Sequence, residues 1–218
     1  MRNILFVACL FGSASLAQEP PKTMTKLEVL LQSPDVTPGS FATKPKLMYR
    51  AGSRYCRTEE APNPDRGIHG LMIINEPDAW MVNLLAKTAQ HVVDPGPTFN
   101  CHMPIFADIA KLRDDETRQI MALEFGLELE FFKSKGAIPK KGAVLQGKET
   151  TAYMLDIGES TFALFTYGTP ERPLAVMRKH GDKADIFWYS GYGQVVFDPK
   201  LFAKPENVKI EDPKPQGQ

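Results

Sequence analysis

The sequence has no excess of charge of either sign. Its 218 residues include 26 Lys and Arg and 26 Asp and Glu, which gives a formal net charge of zero at pH 7. Proteins that bind nucleic acid usually carry a net basic charge or a basic stripe, because they must neutralise phosphates. The composition shows neither feature, so we expect no nucleic-acid partner.

Long apolar runs are also missing. A helix that crosses a bilayer needs about 20 predominantly apolar residues, and no segment of this chain reaches ~18. The sequence therefore predicts no transmembrane segment. With 43% hydrophobic and 24% charged residues, the composition is that of a globular protein with one hydrophobic core.

Sequence motifs for catalysis and for metal binding are absent as well. The chain contains no Gly-x-Ser-x-Gly, no phosphate-binding loop and no Cys-x-x-Cys. His69, His91 and His102, with Cys101 beside the last, match no compact spacing of metal ligands. We therefore expect a protein that is not an enzyme and that carries no metal and no cofactor.

The N-terminus has the features of an export signal. Arg2 supplies a positive charge, residues 4–11 (ILFVACLF) form a short apolar run, and residues 15–17 (SLA) place small side chains at a cleavage site. The sequence thus predicts a signal peptide over residues 1–17, which is cleaved near Ala17. The mature protein is expected in the periplasm or the extracellular medium.

Beyond the signal, the pattern predicts a short leader, one domain and a disordered tail. Residues 18–44 are rich in Pro, Thr and Ser, with one or two helical turns expected at residues 27–31. The domain covers residues 45–212, and residues 213–218 form the tail. Short apolar segments separated by turn residues predict an antiparallel meander within the domain. These segments are residues 46–50, 53–57, 69–75, 79–83, 88–94, 151–156, 161–167, 174–178 and 186–192.

A helix is predicted over residues 115–134, in the middle of the domain. Ile120, Leu123, Leu127 and Phe131 follow helical spacing, although residues 125–131 also alternate with the period of a strand. In the helix, Glu124 and Glu128 share a face and Glu130 points away. This arrangement fits a solvated acidic face better than a pair of catalytic acids.

Three stretches carry a resemblance to a known family. Residues 75–83 (NEPDAWMVN) form a turn and a strand, residues 46–57 form the two preceding strands, and residues 197–211 (FDPKLFAKPENVKIE) close the domain. In their order and spacing they resemble the LolA-like carriers of periplasmic lipoproteins, which act in outer-membrane lipoprotein sorting. The resemblance implies the α+β class, with an antiparallel open half-barrel sheet and a helical insert on its concave face.

The resemblance also implies a function, namely binding of a lipid or of lipoprotein acyl chains. An alternative on the same fold is a protein-interaction or envelope-sensor module that grips an envelope protein. Strands such as residues 71–74 are apolar on both faces, which suits either a ligand cavity or a sheet covered on both sides. The candidate cavity residues are Trp80, Met81, Phe131, Phe132, Phe162, Leu164 and Trp188, and the candidate rim residues are Arg50 and Arg57.

Two cysteines remain after removal of the signal. Cys56 and Cys101 form a possible disulfide in an oxidising compartment. Cys56 also lies within a predicted strand, where a small buried thiol packs well. The sequence leaves both interpretations open.

Overall fold

The structure is a computed structural model that describes residues 19–93, 101 and 119–211. The predicted export signal and tail lie outside these residues. The described chain forms twelve strands and one complete α-helix, α1 (Glu128–Ser134). The strands are β1 (Thr23–Gln32), β2 (Lys46–Ala51), β3 (Tyr55–Glu60), β4 (Gly70–Asn75), β5 (Asp78–Asn83), β6 (Thr88–Val93), β7 (Lys140–Leu145), β8 (Lys148–Ile157), β9 (Ser160–Tyr167), β10 (Arg172–His180), β11 (Lys183–Val196) and β12 (Lys209–Glu211).

All twelve strands belong to one sheet, in the order β12-β6-β5-β4-β3-β2-β1-β11-β10-β9-β8-β7. Neighbouring strands are antiparallel except β12, which runs parallel to β6. The sheet is open, because β12 and β7 form its two ends. The predicted meander is confirmed for β2 to β6 and for β8 to β11, whose strands follow one another in sequence and in space.

The predicted fold class is wrong. The molecule is one large mixed sheet with a single short helix in its described part, rather than an α+β protein with an antiparallel half-barrel and a helical insert. Three segments explain the difference. β12 runs parallel to β6 and makes the sheet mixed, the leader contributes a strand, β1, and the predicted long helix is interrupted before Glu128.

Strand β1 joins the two runs of consecutive strands. It pairs with β2 on one side and with β11 on the other. Leu27, Val29 and Leu31 alternate with Lys26 and Glu28, which is the period of a strand. The helical turn predicted in the leader is therefore wrong, and β1 lies in the middle of the sheet although it precedes residue 45.

The predicted helix over residues 115–134 is confirmed at residues 119–120 and 128–134 and wrong between them. Residues 115–118 lie outside the described residues, and residues 121–127 form turns rather than helix. Gly126 has a φ of +83°, and a Cβ at this position would lie 3.1 Å from the Cβ of Arg50. Only glycine combines this left-handed backbone with so close an approach, so the helix begins after it.

The sheet has two faces with separate cores. On the face that we call inner, residues 119–137 form the inner cover. This segment includes α1, which packs against β8 and β9. On the opposite, outer face, residues 197–208 (the C-terminal cover) pack on β1 to β6 through Phe197, Leu201, Phe202 and Val208. In the part of the chain that is described, no helix is long and apolar enough to cross a membrane.

Candidate functional site

The inner face carries five of the seven candidate cavity residues. Phe162 and Leu164 lie on β9, Phe131 and Phe132 lie on α1, and Met81 lies on β5. Register places Met81 opposite Met72, which packs against the inner cluster. The structure therefore brings these five residues to one face.

Trp80 and Trp188 lie on the outer face instead. Successive residues of a strand point to opposite faces, so Trp80 cannot share a face with Met81. Trp80 belongs to the outer cluster and stacks on the ring of His91, with ring centroids 5.2 Å apart. The assignment of the two tryptophans to one cavity with the other five residues is wrong, because the strand period separates them.

Four of the inner residues are fully packed. Phe131, Phe132, Phe162 and Leu164 are at most 6% exposed, and the rings of Phe131 and Phe132 meet edge to face at 5.6 Å. They fill the space between the inner cover and the sheet. Met81 differs, because 53% of its surface is exposed. The apolar inner face is thus closed at β9 and open to solvent at β5.

Trp188 lies in a second apolar row on the outer face. Register aligns Leu30, Trp188, Ala175 and Phe165 across four neighbouring strands. The large side chains of this row are partly exposed and belong to neither core cluster. The indole Nε1 of Trp188 donates to Gln32 Oε1 at 2.8 Å.

The two predicted rim arginines do not form one rim. Arg50 lies on the inner face with its side chain 3% exposed, where its Nη1 is 2.7 Å from Glu124 Oε2. Its Nε donates to the carbonyl oxygen of Gly52 at 2.6 Å. Arg57 lies on the outer face and donates to the carbonyl oxygen of Leu201 at 3.3 Å. Each arginine therefore holds the cover of its own face.

A disulfide joins Cys56 on β3 to Cys101, with Cα atoms 6.5 Å apart. Both residues belong to the inner cluster. The backbone of Cys101 contacts the inner cover twice, because its N–H donates to Glu124 Oε2 at 2.9 Å and its oxygen accepts from Phe125 N at 3.0 Å. The disulfide thus connects the inner cover to the sheet through Cys101.

Glu128 is the most unusual group in this site. It is fully buried at the start of α1, and its Oε1 accepts hydrogen bonds from Gly126 N at 2.8 Å and from the Tyr189 hydroxyl of β11. Its Oε2 is buried and has no hydrogen-bond partner among the described residues. A buried carboxylate is costly unless its lone pairs are satisfied.

Burial is the main cause that raises the pKa of Glu128 to about 7. The hydrogen bonds from Tyr189 and Gly126 act in the opposite direction, and the negative charge of Glu130 adds a smaller increase. Burial and the nearby Glu128 also raise the pKa values of Tyr189 and Tyr192. Glu128 therefore changes its charge near neutral pH while both tyrosines keep their protons.

The predicted solvated acidic face exists only at Glu130. Glu124 and Glu128 are 9% and 0% exposed, whereas Glu130 is exposed. The sequence feature that indicates an interruption of the helix is Gly126, which lies between Glu124 and Glu128. A glycine there permits a turn, and the turn directs both carboxyl groups toward the sheet.

The described candidate histidines, His69 and His91, contact different carboxylates. His69 Nε2 is 3.2 Å from Glu59, and His91 Nε2 is 2.7 Å from Asp78. His102 lies outside the described residues. Within residues 19–93, 101 and 119–211, no group of three or more His, Cys, Asp and Glu side chains could hold a metal ion.

Comparisons with known proteins give a likeness to solved structures only. No protein-family model and no curated protein matches the chain. An uncharacterized conserved protein from Thermus thermophilus aligns at a TM-score of 0.49 and 10% identity, over 88% of this chain and 91% of that one.

Two further solved structures align less closely. A LolA superfamily protein from Nitrosomonas europaea gives a TM-score of 0.37 at 8% identity, over 84% of this chain and 90% of that chain. PNGF-II gives 0.39 at 9% identity, and the aligned part spans 88% of this chain but about a third (32%) of PNGF-II. No function is transferred from alignments at this level of similarity.

Proposed function

We propose that the protein is exported and binds an apolar ligand, a lipid or lipoprotein acyl chains, on the inner face of its sheet, without catalysing a reaction. The observation that carries the proposal is the apolar cluster of this face, which is buried over most of its length and reaches solvent at Met81. It runs from Leu164 on β9 through Leu27 and Met48 to Met72 and the exposed Met81. The resemblance of three sequence stretches to lipoprotein carriers supports the same ligand class.

The open end at Met81 offers a place for the first contact with hydrocarbon. Met is flexible and polarisable, and it adapts to irregular apolar ligands. Covering Met72 and Met81 removes apolar area from water, at about 25 cal/mol per Å² before the costs of association. A ligand that starts here extends along the sheet toward the inner cover.

The inner cover then determines how far a ligand can enter. Phe131 and Phe132 already bury the apolar surface of β8 and β9. An acyl chain that replaces these rings exchanges one apolar contact for another, so the hydrophobic contribution changes little. The polar contacts, Arg50 with Glu124 and Tyr189 with Glu128, therefore control the release of the inner cover.

Two methionines provide a matched test of the face that binds. Met81 on the inner face is 53% exposed and Met154 on the outer face is 50% exposed, and both lie within strands. A glutamate at either position is tolerated by folding, since both side chains reach water. A charge at residue 81 opposes hydrocarbon binding, because a carboxylate is costly in an apolar site.

The experiment is native mass spectrometry of gently purified protein, followed by solvent extraction and titration with a fluorescent fatty-acid probe. We expect wild-type protein and Met154→Glu to bind the probe alike, and Met81→Glu to bind at least about tenfold more weakly. Ligand-free wild-type protein that takes up no probe would overturn the proposal, as would equal binding by all three proteins.

Export is tested separately by N-terminal sequencing of protein from the envelope fraction. We expect the mature chain to begin near Gln18, because the small residues 15–17 mark the cleavage site. An intact Met1 would overturn the export part of the proposal.

The second candidate function is the binding of an envelope protein. The partly exposed outer row with Leu30, Phe165 and Trp188 favours it, since large apolar side chains in one row suit a protein interface. A stoichiometric partner that is retained by Met81→Glu and lost by Trp188→Ser would support this candidate over the ligand carrier.

A further inference from the structure

We propose that the β7 edge of the sheet docks on the headgroup region of an anionic lipid membrane. Residues 133–148 contain five lysines and no acidic residue, although the whole chain has a net charge of zero. This segment includes the end of α1, all of β7 and the turn into β8. We call the five lysines the basic edge: Lys133, Lys135, Lys140, Lys141 and Lys148.

The fold presents the basic edge on both sides of the last strand. β7 pairs only with β8, so it ends the sheet. Lys140 lies opposite Ala152, which is on the outer face, and Lys141 lies opposite Thr151, on the inner face. Lys133 and Lys135 at the end of α1 are also exposed. Lysines therefore lie on both sides of this edge, and Glu149, opposite Val144, is the acidic residue that faces β7 in register.

Acidic groups neutralise little of this charge. Among the described residues, the basic edge makes a single ion pair, between Lys133 Nζ and Glu171 Oε2 at 3.4 Å. Lys148 Nζ lies 3.8 Å from the centroid of the Tyr167 ring, which leaves its charge uncompensated. Lys140 and Lys141 pair with no described carboxylate. These cations are available to lipid phosphates.

Exposed apolar side chains accompany the lysines. Ile138, just before β7, is 73% exposed, and Val144, near its end, is 65% exposed. A protein that lies in the membrane interface combines such apolar groups, which enter the headgroup boundary, with lysines that contact anionic lipids. A soluble acidic partner would match the lysines but would leave no role for the exposed Ile138.

An extended peptide could also add to an edge strand, and β7 is poorly suited to it. Its register with β8 shifts between Lys141 and Val144. Such an irregularity interrupts the row of backbone groups that an added strand must contact, and edge lysines oppose strand addition. Docking on a lipid surface does not require a regular register of β7.

This inference does not depend on an apolar ligand at the inner face. Ligand occupancy is read by native mass spectrometry, whereas docking is read by partition onto vesicles. Met81→Glu tests the first and leaves the basic edge intact, so failure of one proposal is distinguishable from failure of the other.

The test is cosedimentation of the full chain with vesicles of pure phosphatidylcholine or with about one third phosphatidylglycerol, from about 0.1 M to about 0.5 M salt. We expect binding to the anionic vesicles only, which weakens as salt rises. Lys140→Glu with Lys141→Glu should reduce the partition at least about tenfold, because each lysine near the surface contributes. Ile138→Ser with Val144→Ser should reduce it at both salt concentrations.

The matched control is Lys44→Glu with Lys204→Glu, which makes the same charge change at exposed positions away from β7. It should reduce the partition less than about twofold. Equal binding to both vesicle types would overturn the inference, and so would equal losses in the two lysine pairs. Capture of an acidic peptide by a wild-type protein that does not bind vesicles would also overturn it.

Discussion

The two faces of the sheet are covered in different ways. The inner cover has buried rings and a disulfide, and in addition it is held by buried polar groups, namely the ion pair of Arg50 with Glu124 and the hydrogen bond of Tyr189 to Glu128. The C-terminal cover is anchored by aromatic rings. Phe202 is fully buried, stacks on Phe197 with centroids 5.4 Å apart and contacts Tyr55 at 5.3 Å.

We therefore expect the stability of the inner cover to depend on pH and that of the C-terminal cover to be independent of it. Burial raises the pKa of Glu128, so this side chain stabilises the inner cover in its protonated form and destabilises it when charged. Ring contacts are independent of pH over the physiological range. We therefore expect the inner cover to undergo the changes in structure that binding requires, and the C-terminal cover to remain in place.

The largest expected effect is the loss of a ring from either core. Phe132→Ala and Phe202→Ala each remove a fully buried ring, and each should lower the free energy of unfolding by about 3–5 kcal/mol. Urea unfolding measures both. Leu85→Ala, at a side chain that is 48% exposed, is the control and should change little. A small loss for Phe202→Ala would show that the C-terminal cover is not part of the core.

Removal of the disulfide should weaken the inner face alone. The bridge spans a sequence separation of 45 residues, so Cys56→Ala with Cys101→Ala should cost about 2–4 kcal/mol. Hydrogen exchange locates the effect. We expect faster exchange at Phe125, whose N–H donates to Cys101, and unchanged exchange in the C-terminal cover. Uniformly faster exchange would contradict independent covers.

The pH dependence of stability should come from the inner face. Glu128 has a pKa of about 7 when folded, against an ordinary value of 4.5. The folded state therefore holds this proton more tightly, and stability is lost as pH rises from about 4.5 through about 7. Glu128→Gln should remove this loss, which is on the order of 3 kcal/mol between these pH values.

The control for this measurement is Glu130→Gln, two residues later on α1 at an exposed position. The stability of Glu128→Gln, measured against wild type from pH 5 to 8, should rise relative to wild type as pH increases, with no comparable change for Glu130→Gln. Parallel curves for all three proteins would show that Glu128 does not titrate in this range.

The smallest effect is expected from a single polar contact of the outer cover. Arg57→Met removes the hydrogen bond to the carbonyl oxygen of Leu201 but keeps the apolar stem, so we expect a cost of about 1 kcal/mol. Limited proteolysis at residues 203–207 measures the opening of the C-terminal cover. A loss as large as that of Phe202→Ala would show that polar contacts anchor this cover too.

Much of the strand content was predictable because it depends on local patterns. Apolar segments between turn residues predicted β2 to β6 and β8 to β11, and the positions of these strands are confirmed. β7 was not predicted, because residues 140–145 begin with two lysines and a glycine. Such an edge strand is stabilised by pairing with β8 rather than by its own propensity.

The candidate site was predictable only in part. The pattern selected Phe131, Phe132, Phe162 and Leu164, and the structure places them together on the inner face. It also selected Trp80 and Trp188, which strand alternation places on the outer face. The residue type identifies a side chain as apolar, whereas the register of each strand determines the face of the sheet on which that side chain lies.

The sequence by itself determined the short strands and their turns, because these arise from alternation and from glycine and proline over a few residues. Only the tertiary structure decided that β1 lies between β2 and β11, and that Arg50, Glu124, Glu128 and Tyr189 are buried together. These contacts join residues far apart in the chain. These contacts form because both faces of one sheet are buried, and no local pattern in the sequence encodes that burial.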